Sequence, residues 1–276
     1  MVRKEKRIVR VAILDLYEGE ANEGMRCIRD IIKQFGNSKK IMIESKEFDV
    51  RLKNEVPDLS YDLFISTGGP GSPLDSEGSE WENAYFKWLQ EVLDWNENAL
   101  NKNKKSIFLI CHSFQLVCRH FNIGNVCKRK STAFGVFPIH LLTDGKNEAV
   151  FKGMKDPFYA VDSRDYQVIQ PNAETFWKTP ATVLAIEKDR PHVPLERAIM
   201  AVRFNKYMIG TQFHPEADAE GMSMYLQTEE KKQTVIENYG IEKWQSMIEQ
   251  LNDPDKIMMT YTHLLPGFLQ IAIDNG

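Results

Sequence analysis

The chain has 276 residues, 42% apolar and 27% charged, ordinary globular usage that argues against a disordered tail, a collagen-like fibre or a coiled-coil rod. It carries 35 Lys and Arg against 39 Asp and Glu, a net charge of −4 that gives no broad electrostatic reason to bind nucleic acid. Cys27, Cys111, Cys118 and Cys127 have neither the density of a disulfide framework nor a Cys-x-x-Cys pair. No apolar stretch is long enough to cross a bilayer, and the basic residues 1–7 lack the apolar run of a signal peptide. The expectation is a cytoplasmic protein, off the membrane, long enough to bury a core without a structural metal.

Residues 8–16 read as a buried strand with both faces apolar, the pattern of a parallel sheet. Residues 22–35 place Met25, Ile28, Ile31, Ile32 and Phe35 at helical spacing, and Gly36 is expected to close that helix. A second strand falls at 40–44 or 47–51. A third, at 61–67, breaks on Gly68-Gly69-Pro70-Gly71-Ser72-Pro73. A long helix over 79–100 carries Trp81, Tyr85, Trp88, Leu89, Val92 and Trp95 largely on one side. Residues 106–110 form another buried strand, and 111–121 a helix that begins directly at its end.

This alternation predicts an α/β fold, a three-layer sandwich around a central, mostly parallel sheet. Short strands at 133–142, 158–161, 166–169, 182–186, 198–204 and 207–213 suggest an antiparallel extension. Beyond His214 the chain reads as helical, at 218–230, 233–251 and 255–274. Ile236, Ile241, Trp244, Ile248 and Leu251 make a packing stripe there at roughly helical spacing. The organisation expected is a domain over residues 1–220 and a helical C-terminal extension, 221–276, packed on it.

Ligands of open α/β sheets bind beyond the carboxyl ends of the strands, and two such ends carry unusual residues. A cysteine that ends a strand is ordinarily a small buried hydrophobe. Cys111, however, stands where strand 106–110 turns into a helix, so the helix dipole and free N–H groups favour its thiolate. Gly68-Gly69-Pro70-Gly71 is a weak motif alone, a turn of the usual kind. Beside a cysteine elbow it supplies backbone N–H groups for an oxyanion hole.

A nucleophilic cysteine needs a base, and the base an orienting acceptor. The histidines are His112, His120, His140, His192, His214 and His263. Only His214 ends an apolar strand-like run with a carboxylate two residues on, and Pro215 between them forces a turn. Glu216 is then placed to hold the imidazole tautomer. A zinc site from Cys111, His112, Cys118 and His120 fails on geometry. Seven positions along a helix separate the two sulfurs by roughly 10 Å, whereas zinc ligands converge within about 2.3 Å of the ion. No metal or cofactor is expected.

Gly68-Gly69-Pro70-Gly71-Ser72-Pro73, Cys111-His112-Ser113-Phe114-Gln115 and Gly210-Thr211-Gln212-Phe213-His214-Pro215-Glu216 together resemble the class I (triad) glutamine amidotransferases. The resemblance covers about residues 8–220 and is closest to stand-alone proteins similar to the amidotransferase domain of GMP synthase. It implies a flavodoxin-like fold with Cys111 as nucleophile, His214 as base and Glu216 as its orienting partner. Backbone N–H groups of Gly69 and His112 would form the oxyanion hole. Gly68, Pro70, Gly71 and Gln115 would lie along the substrate, and Ser163-Arg164-Asp165 would meet its amino-acid end through the backbone.

The reaction implied is hydrolysis of the glutamine amide through a Cys111 thioester, with ammonia passed to an acceptor. No synthetase motif accompanies it, so the acceptor would bind a separate synthetase chain or an unrecognised site on this one. Three positions depart from the family pattern: Leu109 and Ser113 stand where glycine is usual around the cysteine, and Ala133 where glutamate is common. Three other readings share the fold. One is a hydrolase of γ-glutamyl peptides or conjugates. Another is a ThiJ/PfpI-like hydrolase in which His112 itself takes part. The third is a pseudoenzyme kept as a binding module.

Overall fold

Runs of β-branched and aromatic residues with no polar face have to lie at the centre of a layered molecule, and they do. The computed structural model describes residues 8–20, 22–191, 193–251, 253 and 256–275. Residues 1–7, His192 and Asp255, the first residue of the last expected helix, lie outside them. The first half of the chain comprises β1 (Ile8–Asp15), α1 (Glu23–Lys39), β2 (Met42–Asp49), α2 (Val50–Lys53), β3 (Leu63–Ser66), α3 (Glu80–Glu97), β4 (Ser106–Ile110) and α4 (His112–His120). Then come β5 (Asn125–Leu141), α5 (Thr143–Asn147), β6 (Phe158–Ile169), α6 (Ala173–Lys178), β7 (Thr182–Glu187), β8 (Ile199–Asn205) and β9 (Met208–Thr211). Four helices follow: α7 (Ala219–Gln227), α8 (Glu229–Tyr239), α9 (Ile241–Leu251) and α10 (Ile257–Asp274).

The strands form one sheet in the order β2-β1-β3-β4-β9-β8-β7-β5-β6. From β2 to β9 the neighbours are parallel; from β9 to β6 they are antiparallel. The parallel part sends β1, β3, β4 and β9 in one direction, so their carboxyl ends share one edge. The chemistry-bearing motifs all follow those ends.

Alternation along the strands builds two cores. Val11 and Ile13 face Ile28, Ile31 and Ile32 of α1 and Leu264, Leu265 and Phe268 of α10. Ala12 and Leu14 face Tyr85, Trp88, Leu89 and Val92 of α3 and Phe114 and Val117 of α4. This is a three-layer α/β sandwich of the flavodoxin-like kind. α10 belongs to one of its layers: Phe268 meets Phe108 edge to face at 5.2 Å, and Thr260 Oγ1 donates to the Tyr159 carbonyl. No helix is long and apolar enough to cross a membrane among the described residues.

Several boundaries differ from the sequence reading. Gly36 lies inside α1, where the Ile41 carbonyl and Ile43 side chain press on it. The helix ends at Lys40, whose left-handed backbone (φ 56°) returns its N–H to Asn37 and Gly36. β2 spans the two alternatives in one strand, and 158–161 and 166–169 are the ends of a continuous β6. Gly240, at φ 85°, separates α8 from α9, so the stripe from Ile236 to Leu251 is shared between two helices. Leu251 is buried in it, whereas Ile241 is exposed.

Candidate active site

Cys111 is the N-cap of α4, with φ 47° and ψ −96°, a backbone conformation that L residues seldom adopt. Such strain persists only where the surroundings enforce it. Here the Cys111 amide donates to Thr211 of β9 at 2.8 Å, and Ser113 ties the turn from within. The Ser113 hydroxyl donates to Ser66 O at 2.8 Å and accepts from Ile110 N at 2.9 Å, fastening the elbow to the end of β3. A glycine would leave those groups unlinked. The serine at this departure from the family pattern fits and adds a tie.

His214 follows β9 and bridges to β6, its amide donating to the Val161 carbonyl at 2.8 Å. After the turn at Pro215, His214 Nδ1 lies 2.8 Å from Oε1 of Glu216, which is almost wholly buried. The His214 ring and the Cys111 side chain face the same small space beside Gly68. Burial alone would disfavour the imidazolium, but Glu216 and Cys111, through charge and hydrogen bonding, raise the His214 pKa well above its ordinary value. The protonated imidazole is therefore favoured at this position.

His112 behaves differently. Its ring is buried, Nε2 has no partner, and burial with the nearby Arg51 and Arg119 pushes its pKa down to about 3. The imidazole that meets Cys111 is that of His214. Among the described residues, neither the Gly69 amide nor that of His112 at the start of α4 has a hydrogen-bond partner. Gly69 can only be glycine, because any side chain there would run into the Leu16 carbonyl. Gly71 adopts φ 83° and completes the turn of that loop with Pro70.

Ser163 and Gln212 complete the surroundings of the sulfur. The Cys111 thiol faces Ser163 O at 3.7 Å, and Gln212 Nε2 lies 3.7 Å from Sγ. Gln115 stands behind Gln212. Its Nε2 donates to Gln212 Oε1 at 3.0 Å and Tyr166 O at 3.2 Å, so its amide nitrogen is committed to protein. Arg164 is committed as well, to Asp162 at 2.9 Å and Glu187 at 3.1 Å. The Asp165 carboxylate accepts from Thr132 at the exposed surface, and Ala133 is buried on the neighbouring strand.

Two residues at the site had no signal in the sequence reading. Gln212 stands inside the Gly210–Glu216 motif with nothing local to assign it a role. Tyr17, just past β1, is an isolated aromatic in a polar stretch. A Cβ on Gly68 would lie 2.9 Å from His214 Cε1, 3.4 Å from the Tyr17 hydroxyl and 3.6 Å from Cys111 Cβ, so these three groups converge on one missing side chain. Burial, then the charges of Glu216 and Cys111, raise the Tyr17 pKa well above its ordinary value, so the phenol stays neutral. No group of three or more His, Cys, Asp or Glu side chains is arranged as metal ligands among the described residues.

Solved structures share this architecture across nearly the whole chain. A glutamine amidotransferase from Thermotoga maritima is 16% identical, with a TM-score of 0.66 over 96% of this chain and 98% of its own. One from Methylobacillus flagellatus is 14% identical, with a TM-score of 0.64 over 97% of this chain and 94% of its own. The glutaminase domain of Trypanosoma brucei CTPS, solved with bound acivicin, is 15% identical at a TM-score of 0.56, covering 95% of this chain and 94% of its own. No curated protein matches the sequence. The family model for glutamine amidotransferase class-I matches residues 26–230, three quarters of the chain and every segment of the site beyond β1. With that match added to a buried His–Glu pair beside a strained cysteine elbow, the chain belongs to the class I glutamine amidotransferases.

Proposed function

We propose that the chain hydrolyses the side-chain amide of glutamine through a thioester on Cys111 and delivers the ammonia to an acceptor on a separate synthetase. The observation that carries this reading is the buried His214–Glu216 pair, with its 2.8 Å Nδ1–carboxylate contact, standing beside the strained Cys111 elbow. The Cys111 thiolate attacks the carboxamide carbon, and the C–O double bond becomes an oxyanion facing the amides of Gly69 and His112. His214, already carrying the thiol proton, gives it from Nε2 to the nitrogen, and the C–N bond breaks with release of ammonia. Water then gives a proton to His214 and attacks the thioester. As the C–S bond breaks, His214 gives that proton to the departing sulfur, so glutamate leaves and the thiol is restored.

The substrate's amino-acid end lies, in this reading, along the backbone of Ser163, Arg164 and Asp165 and beside Gly68, Pro70 and Gly71. Gln115 contributes by holding Gln212 against the sulfur. Residues 1–220 carry the chemistry, and 221–276 complete the hydrophobic layers beneath it. All four cysteines are free, which suits a reducing cytoplasm.

Glutamate release from L-glutamine by the purified protein, beside Cys111→Ala, tests the proposal. Turnover that disappears in the variant is expected. Turnover of γ-glutamyl peptides in place of glutamine would move the assignment to a γ-glutamyl hydrolase. A wild-type protein inert to both, whose Cys111 alkylates no faster than Cys27 or Cys127, would make the chain a binding module.

A further inference from the structure

The loop that follows β3 has a clamp outside the triad. Arg51 projects from α2, and its side chain retains 12% exposure. Arg51 Nη1 donates to Pro70 O at 2.7 Å and to Leu16 O at 3.3 Å. Nη2 pairs with Glu18 at 2.7 Å, and the guanidinium lies 5.4 Å from the centre of the Trp81 ring. The two carbonyls it joins bracket Gly69. Leu16 O is the atom against which Gly69 is pressed, and Pro70 O belongs to the next peptide.

From these contacts we infer that Arg51 is a positioning residue for the oxyanion hole, a guanidinium that holds the backbone on the far side of Gly69 and the neighbouring Leu16 carbonyl in place relative to the Cys111 elbow. This rests on the acyl-transfer chemistry proposed above. The physical reasoning is geometric. A donor helps an oxyanion only when preorganised to within a few tenths of an ångström of its position. The Gly-Gly segment cannot hold itself, because glycine has the widest conformational choice of any residue. Thr67 fastens one side, its hydroxyl accepting from Leu16 N and donating to Gly68 O, both within 2.9 Å. Arg51 fastens the other. Nη1 serves both carbonyls while Nη2 is held by Glu18, so the planar guanidinium ties three groups in one fixed orientation, whereas a lysine ammonium would serve them as a point charge.

The test compares wild type, Arg51→Met and Arg51→Lys. Arg51→Met is expected to lower kcat for glutamine hydrolysis about 10²-fold, the scale of one lost oxyanion donor. KM should move little, and Arg51→Lys should recover part of the loss. Iodoacetamide alkylation of Cys111 builds no oxyanion and should keep its wild-type rate. In parallel, amide hydrogen exchange should speed up over residues 68–72 in Arg51→Met and stay slow over 106–115. That readout needs no turnover, so the clamp is tested even if the wild-type chain proves inert to glutamine. Unchanged exchange in the 68–72 segment would overturn the inference. So would an alkylation rate and thermal midpoint that fall in step with kcat, the behaviour of an arginine that merely supports packing.

Discussion

Leu109 on β4 lies opposite Gly210 on β9, and the side chain that Gly210 lacks is the space Leu109 occupies. A Cβ on Gly210 would stand 3.0 Å from Leu109 Cβ and 2.9 Å from a ring carbon of Phe114. The bulky residue two positions before Cys111 is thus housed by a glycine on the neighbouring strand. Gly210→Ala should cost about 1–3 kcal/mol by overpacking, read from urea denaturation. Phe114→Ala, which removes the nearest ring carbon, should be destabilising alone but should reduce the cost of Gly210→Ala in the double variant, a coupling expected of touching residues. Simple additivity would contradict the pairing.

Gly68 makes the same kind of statement about the imidazole. Its backbone needs no left-handed conformation, so Gly68→Ala acts through one methyl group placed 2.9 Å from His214 Cε1. The ring must move, and displacement of a catalytic group by about 1 Å costs on the order of 10²-fold in rate. Glutamine hydrolysis in Gly68→Ala should fall by that much while the urea midpoint barely shifts. Tyr17→Phe in the same background should not restore it, because the phenol lies beyond the clash. A fully active Gly68→Ala would place His214 elsewhere.

The parallel layers and the three motifs were legible because they depend on local pattern: apolar runs, Gly-Gly after a strand, His-Pro-Glu after another. What was not legible depended on contacts between distant segments. Ser163-Arg164-Asp165 interrupts two apolar runs, and nothing local says that Asp162 and Glu187 neutralise Arg164 inside a continuous β6. Gly36 has the look of a helix stop, yet its role is to admit the chain returning at Ile41. Tyr17 and Arg51 sit in polar stretches without periodicity, and only the folded chain shows them against Gly68 and Pro70. Composition is blind to such pairs.

The ion network behind β6 should carry a large share of local stability. Glu187 pairs with Arg129 at 3.2 Å, with Arg164 at 3.1 Å and with Arg190, all four side chains being nearly buried. Glu187→Gln takes the carboxylate from three guanidinium groups, of which only Arg164 keeps one in Asp162, and uncompensated buried charge costs roughly 3–5 kcal/mol. Urea denaturation at neutral pH should show a loss of that size. A loss within about 0.5 kcal/mol, the range of surface substitutions, would mean that water screens the cluster.

His214 and His112 should pull the pH dependence of stability in opposite ways. His214 has a folded-state pKa raised above its ordinary 6.5 because Glu216 and Cys111 outweigh burial. Its contribution is fully present below about 6.5 and is lost as pH rises through the raised value. The stability gap between wild type and His214→Gln should therefore narrow with rising pH above that point. His112 has a folded-state pKa of about 3, set by burial and by Arg51 and Arg119. Between about 6.5 and 3 the unfolded chain binds a proton that the folded chain refuses, so stability falls as pH drops through that window. One proton corresponds to a slope of about 1.4 kcal/mol per pH unit. Urea titrations at pH 4, 5 and 6 should show a shallower slope in His112→Gln than in wild type. Equal slopes would mean that His112 takes up its proton in the folded state, and would put its ring in contact with water or a carboxylate.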